Sequence, residues 1–403
     1  MKEIQDIARW LEQRDALHVI PRVESLPAPT FRMDGAEHVS FSTNNYLGLA
    51  RHPRVVARAR EGLERYGVGN CESRLLGGDL EIYDQLEGKL AALKHKQSAL
   101  LFATGYLTNL GVLSSLVKTG QFARVYGYRG ICRHSYAYFS DEYNHVSIRE
   151  GIRLSGADRL TYRHLDLDHL ESLLKGSAAT TRIIVTDGVF SQDGDIAPLR
   201  ELLELAERHD AMVYVDDAHG TGVLGATGGG ITEHFGINHP NLICMGTLSK
   251  AYGAIGGFIA TDQDIGDVLR LTCSAYGFTS TLPPDQVFAV SEALDVVAQE
   301  PERRARLWRN QRHFVEAMAR LPYRLMSTET PIVPVLIGDE AEADRLALRL
   351  RAVGVHVDSV KFPAVPKKQA RLRVILNAGH TPAQIELLVS VLADPSRVLA
   401  DAA

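Results

Sequence analysis

Ala211-Met-Val-Tyr-Val-Asp-Asp-Ala-His-Gly-Thr-Gly222 decides how this chain is read. An apolar, β-branched run of strand length ends abruptly in two carboxylates, a histidine and glycines. The same change of character occurs on both sides of it. Arg182-Ile-Ile-Val-Thr186 runs into Asp187-Gly-Val-Phe-Ser191, and Leu242-Ile-Cys-Met245 runs into Gly246-Thr-Leu-Ser-Lys250. Between the first two lies Leu199-Arg-Glu-Leu-Leu-Glu-Leu-Ala-Glu-Arg208, with leucines at helical spacing. Ser98–Phe102 and Gly256–Ala260 are further strand candidates. Apolar strands alternating with amphipathic helices predict an α/β fold with a mostly parallel sheet covered on both faces. Ligands of such sheets bind beyond the carboxyl ends of the strands. Lys250, Asp216 and His219 are therefore expected to meet at one rim.

Working outward, residues 1–30 begin with a helical pattern (Ile4, Ile7, Ala8, Trp10, Leu11) that breaks at Pro21, Pro27 and Pro29. A strand-like piece, His38–Ser42, leads into Asn44-Asn-Tyr-Leu-Gly48. An amphipathic helix follows over Val55–Tyr66, ended by Gly67, and then a glycine-rich turn over 67–78. After Pro283-Pro284 the pattern reads as a long helical segment, a strand (Ile332–Ile337), a helix (Ala341–Ala352) and a strand pair near Val355–Asp358 and Leu372–Leu376. The expected organisation is an N-terminal segment (1–50), a large sheet domain (51–285) and a smaller C-terminal α+β domain (286–403). A chain of 403 residues has room for two to three domains.

Composition narrows the function. Apolar residues are 45% and charged residues 23%, as in an ordinary globular protein, which excludes a disordered or fibrous chain. A formal net charge of -5 argues against a nucleic-acid binder or a protein devoted to anionic membrane. Cys71, Cys132, Cys244 and Cys273 are scattered, with no metal-ligand or disulfide spacing. No bound metal is expected, and a reducing cytoplasmic setting fits. The first thirty residues are charged and lack the apolar stretch of a signal peptide, and no run is long enough to span a membrane.

A lysine just past a strand can be desolvated, and its neutral amine can form a Schiff base. Pyridoxal 5′-phosphate (PLP) needs such a lysine, and an acid to keep its ring nitrogen protonated. Lys250 and Asp216 are the candidates, and His219 would reach the phenolic oxygen. A phosphate needs N–H donors at a helix start. Thr104-Gly-Tyr106, opening the helical run Leu107–Val117, supplies them. Taken singly, Lys250 reads as a surface lysine and Asp216 or Asp217 as a helix cap or metal ligand. In this order and spacing the set reads as one site.

The residues that carry this reading resemble the α-oxoamine synthases, fold-type I PLP-dependent enzymes, over about 38–390. The motifs are Asn44-Asn-Tyr-Leu-Gly-Leu49, Asp187-Gly-Val-Phe-Ser-Gln-Asp-Gly194, Asp216-Asp-Ala-His-Gly-Thr-Gly222, Thr247-Leu-Ser-Lys-Ala251, Ala370-Arg-Leu-Arg373 and Ala378-Gly-His380. The resemblance implies a decarboxylative condensation of an α-amino acid with an acyl thioester, on coenzyme A or an acyl carrier protein, giving an α-amino ketone, carbon dioxide and free thiol. It implies that Lys250 holds the cofactor covalently, Asp216 faces the pyridine nitrogen, and His219 and Ser191 lie near the phenolic oxygen. It implies that His145 stacks on the ring, that Thr104, Gly105, Tyr106 and Thr247 cradle the phosphate, and that Thr279 and Ser280 reach it from the neighbouring subunit of a homodimer. Arg373 would clamp the substrate carboxylate, with Asn44 nearby and Ser73 on the substrate side. Other fold-type I reactions, aminotransfer or simple decarboxylation, are the alternative, as is a catalytically silent partner subunit.

Three features depart from that pattern. Glu72 stands in a loop that is usually small or glycine-rich. Tyr83 stands where the family has a histidine. Residues 121–140 read as a longer stretch with Arg124, Arg129, Arg133, His134 and many aromatics but no acid, suited to coenzyme A phosphates, an acidic carrier protein or a packed interface loop.

Overall fold

The structure, a computed structural model, describes residues 2–13, 22–26, 28–130 and 135–394. The expected breaks at Pro21 and Pro27, and Cys132, Arg133 and His134 of the basic stretch, lie outside them.

A seven-stranded sheet carries the molecule. Its order is Ser98–Phe102, Gly257–Thr261, Leu242–Thr247, Ala211–Asp216, Thr181–Asp187, Tyr136–Asp141 and Asp158–Tyr162. Gly257–Thr261 runs antiparallel to both of its neighbours, and the other pairings are parallel. Ser98–Phe102 and Leu242–Thr247 are buried at every position. That is why their sequences are continuous apolar runs rather than alternating ones. Helix Leu199–Arg208 covers one face with Leu199, Leu202, Leu203, Leu205 and Ala206. Each such leucine contributes roughly 1.5–3 kcal/mol of burial.

To this sheet the structure adds two strands absent from the sequence reading, and it corrects one assignment. Tyr136–Asp141 is a central strand, with Tyr138 and Phe139 fully buried. The stretch 121–140 is therefore not one insertion. A short helix, Thr119–Val125, precedes it, and its last five residues belong to the sheet. The aromatics there serve the core, while Arg124, Tyr126, Tyr128 and Arg129 are exposed. Asp158–Tyr162 is the sheet's exposed edge, open to solvent where the opposite edge, Ser98–Phe102, is covered, which explains its polar sequence.

A four-stranded sheet, Arg324–Leu325, Ile332–Gly338, Ala370–Ile375 and Asp358–Val360, packs with helices Glu302–Met318, Glu340–Ala352 and Pro382–Ala393 around Phe314, Val333, Leu346, Leu372 and Leu388. The long helix expected after Pro283-Pro284 is two, Pro284–Gln299 and Glu302–Met318, parted at Pro301, whose ring cannot continue a helix ladder. The expected strand pair near 355–376 is also divided. Asp358–Val360 pairs with Ala370–Ile375, but Val355–His356 pairs in parallel with Ala36–Ser40, alongside Thr30–Met33. No helix among the described residues is long and apolar enough to cross a membrane.

Candidate active site

The parallel strands end together, and their last residues bring the chemistry to one rim. Asp187 and Asp216 are direct partners across adjacent strands, and Asp216 is opposite Met245. Beyond them opens a cavity of about 340 Å³. Nine residues expected at the site line it: Lys250, Asp216 and His219 from the strand ends, His145 and Ser191 from the loops, and Thr104, Gly105, Tyr106 and Thr247 at one end.

The Lys250 amine is pushed down to about 8, first by burial and then by the Arg373 charge, against the pull of Asp216. A substantial neutral fraction thus exists near neutral pH, which a nucleophilic amine requires. Asp216 is buried, and its carboxylate accepts from Asn109 Nδ2 at 2.7 Å and from the Ala218 amide at 3.0 Å. His219 is held well below the ordinary imidazole value by burial and by the charges of Lys250 and Arg373. Its Nδ1 lies 2.7 Å from the Tyr46 hydroxyl. His145 caps helix Val146–Ser155, its ring nitrogen accepting from the Ser147 amide, with Ser147 Oγ 2.7 Å from Nδ1. Burial lowers this imidazole too. Both histidines are neutral hydrogen-bonding groups here, not cations.

The phosphate end is built by a helix start. Thr104 caps helix Gly105–Leu116 by accepting from the Leu107 amide. A Cβ on Gly105 would stand 3.0 Å from both Met245 Cε and Thr247 Oγ1, so glycine lets the helix start approach strand Leu242–Thr247 without displacing either side chain. Thr247 and Ser249 present hydroxyls beside it, 2.8 Å apart. Amides at a helix N-terminus with hydroxyls around them suit a phosphate. A buried carboxylate and a desolvated lysine suit the ring nitrogen and aldehyde of PLP.

The remaining expected residues lie apart from the cavity lining. Arg373 stands on Ala370–Ile375 and donates through Nε to the Ser191 carbonyl. Its charge acts on both Lys250 and His219. Asn44 is half-buried, with Oδ1 unpaired by any protein donor among the described residues. Ser73 is half-buried in the 67–78 turn, and its neighbour Glu72 is exposed, accepting from the Ser73 amide rather than facing the cavity. Thr279 donates to the Ala275 carbonyl and Ser280 is exposed, so neither serves the cavity of its own chain. Tyr83 is fully buried and donates to the Leu282 carbonyl at 2.9 Å.

Sequence reasoning missed Asn109, Ser147, Ser249 and Tyr46. Asn109 is one helical turn beyond Gly105, so it faces the same way, a signal available in the sequence. It is buried and donates to both Asp216 and Ser147 Oγ, while Tyr214 donates to its carbonyl at 2.7 Å. Helices Gly105–Leu116 and Val146–Ser155 approach closely enough for this because residue 151 is glycine. A Cβ there would stand 2.6 Å from the Asn109 carbonyl oxygen.

Comparison with known proteins gives a consistent result. The aminotransferase class I and II family model matches residues 36–392. The chain is 40% identical to 8-amino-7-oxononanoate synthase 1 of Bacillus subtilis, over 94% of this chain and 93% of that protein. It is 38% identical to 8-amino-7-oxononanoate synthase of Bacillus pumilus, over 99% of each. A solved structure of serine palmitoyltransferase with PLP as internal aldimine superposes with a TM-score of 0.87 at 30% identity, covering 98% of this chain and 97% of that one.

Proposed function

The chain belongs to the aminotransferase class I and II family, among its α-oxoamine synthases, and from that premise we propose which substrates it takes and which residues do the work. It is a PLP-dependent acyltransferase that condenses an amino acid with an acyl thioester and releases carbon dioxide and thiol. The product named for its relatives has nine carbons, an amine at C8, a ketone at C7 and a carboxylate at C1. Cut at the bond the reaction forms, C7–C8, it yields alanine's α-carbon with its methyl group, and a seven-carbon acyl group ending in a carboxylate. Alanine and a heptanedioyl thioester are therefore the proposed substrates. Whole-length identity near 40% favours this pair over serine and a long acyl chain.

Bound at this rim, PLP supplies an aldehyde for imine formation and a ring that takes up an electron pair from the amino acid's α-carbon. Lys250 Nζ would hold the cofactor and then accept the α-proton. Asp216 would face the ring nitrogen and hold its proton. Tyr46 donates to His219 Nδ1, which would leave Nε2–H free to donate to the phenolic oxygen. His145 would cover one ring face. Thr104, Gly105, Tyr106 and Thr247 would hold the phosphate, and Ser191 would lie beside the ring. Arg373 would hold the substrate carboxylate, with Asn44 and Ser73 nearby. The α-carbon attacks the thioester carbonyl, the thiolate leaves and takes up a proton, the carboxylate departs as carbon dioxide, and the α-carbon regains a proton, which the Lys250 ammonium would supply.

A homodimer is proposed because Val68, Leu76 and Phe278 are exposed on the loops that carry Ser73 and Thr279. A second copy covering them would bring Thr279 and Ser280 to the phosphate. Buried free thiols at Cys244 and Cys273 suit a reducing cytoplasm.

The convergence of Lys250, Asp216, His145 and His219 on one cavity carries this reading. Steady-state assays of alanine, serine and glycine against heptanedioyl- and palmitoyl-coenzyme A, following thiol and carbon dioxide together, test it. Alanine with the heptanedioyl thioester is expected to give the highest kcat/KM. Preference for another pair would overturn the substrate assignment.

A further inference from the structure

A second cavity, about 510 Å³, adjoins the first. The two share His145 and Ser191 in their linings, so they lie side by side at the rim. One wall is apolar, formed by Phe190, Phe362 and Val365. Three charged side chains line it, Glu142, Asp193 and Arg149. Asp193 is taken by Arg371, whose Nη1 is 2.7 Å from it. Glu142 accepts from the His164 amide at 2.9 Å. The exposed Arg149 guanidinium has no hydrogen bond or ion pair among the described residues, although its charge helps depress the His145 imidazole. An unpaired guanidinium beside an apolar wall suits a molecule with a hydrocarbon stem and an anionic end.

We propose that Arg149 is a specificity residue that binds the distal carboxylate of the acyl group, with the Phe190–Phe362–Val365 wall against its methylenes. The inference rests on the acyl-transfer reading above and names the chemistry of its second substrate. Length decides between the two anions such a substrate carries. Arg149 is four residues beyond His145, about 6 Å along the helix axis, and helical side chains lean back toward the N-terminus. An extended chain advances about 1.2 Å per bond, the figure for a peptide backbone. The distal carboxylate of a heptanedioyl group is six bonds from the reacting carbonyl, so about 7 Å away. The phosphate of a pantetheine arm is about thirteen bonds from the sulfur, roughly 16 Å away and beyond Arg149. The reach of the carboxylate matches the spacing of Arg149 from His145, and that of the phosphate exceeds it.

The test compares heptanedioyl-coenzyme A with heptanoyl-coenzyme A, of equal length and without the terminal charge, using alanine and the PLP-loaded enzyme. The wild type is expected to prefer the dicarboxylic thioester by about tenfold to a hundredfold in kcat/KM, as for one charge-assisted hydrogen-bonded pair. Arg149→Gln is expected to bring that ratio to near one, and Arg149→Lys to restore part of it. If the wild type uses both thioesters equally well, Arg149 does not read the carboxylate, while the acyl-transfer reading stands. Should Arg149→Gln raise KM for both thioesters by the same factor, the contact is with the carrier arm and the carboxylate assignment falls. Wild type inactive with either thioester, but active with another acyl donor, removes both the heptanedioyl assignment and this inference.

Discussion

The Tyr46 hydroxyl and His219 Nδ1 lie 2.7 Å apart, joining the N-terminal segment to the rim of the sheet. Both are buried, Tyr46 at 1% exposure and His219 at 7%. Burial drives the phenol's proton loss out of reach, the nearby Arg373 opposing only weakly, so Tyr46 is a permanent donor. Burial and cationic neighbours keep His219 neutral. The bond thus fixes one tautomer of His219, with the proton on the nitrogen turned from Tyr46.

Tyr46→Phe should therefore fold and bind cofactor but misorient His219. It leaves a buried Nδ1 unpaired, at about 1–3 kcal/mol; felt in the transition state, that is a fall in kcat of roughly fivefold to 150-fold. The visible absorbance of bound PLP should shift at constant pH. Unchanged kcat and spectrum would show that His219 is oriented without Tyr46.

Asn109 ties two site residues together through one amide, at 2.7 Å to Asp216 and 2.9 Å to Ser147 Oγ. Asn109→Ala should weaken PLP affinity about tenfold, the scale of one lost charge-assisted hydrogen bond. Asn109→Asp should do worse, since it removes the donor and sets a carboxylate against Asp216. Equilibrium dialysis of PLP against the two variants checks the order. Equal affinities would make Asn109 a packing residue only.

Lys250 makes the reaction with cofactor pH-dependent in a defined direction. Its amine, near 8 in the folded chain instead of the usual value above 10, captures the aldehyde when neutral. The rate at which apoenzyme gains cofactor absorbance should rise with pH and level off above about 8. Borohydride should then fix the cofactor to residue 250, and Lys250→Ala should lose both the adduct and about a thousandfold or more of activity. A rate still climbing at pH 10 would show that the amine is not desolvated as described.

These partnerships explain what the sequence disclosed. Buried central strands such as Leu242–Thr247 were visible because both faces are apolar. Lys250, Asp216 and His219 were visible because polar groups at strand ends interrupt that pattern. Tyr136–Asp141 was hidden because its tyrosines and neighbouring arginines look like a surface patch until burial is known. Tyr46 is separated from His219 by 173 residues and Asn109 from Asp216 by 107. No local period encodes such contacts, so they emerge only when the sheet folds. Thr279 and Ser280 stay unassigned within one chain because their proposed work lies in another.

His164 supplies a prediction about stability alone. Its ring bridges two carboxylates, Nδ1 to Asp141 at 3.0 Å and Nε2 to Asp195 at 2.9 Å, and stacks on Tyr143. Burial alone would lower its pKa, but the two carboxylates overcome that and raise it to about 10. The folded state therefore holds a proton that the unfolded chain releases near 6.5. Stability from this site is complete below 6.5 and is lost as pH rises through about 10. His164→Gln keeps a polar side chain but no charge. The gap in urea midpoint between wild type and variant should be largest near pH 6 and shrink steadily toward pH 10. Comparing the two proteins at each pH cancels every other titrating group, so a gap independent of pH would show that His164 stabilises by stacking and not as a cation.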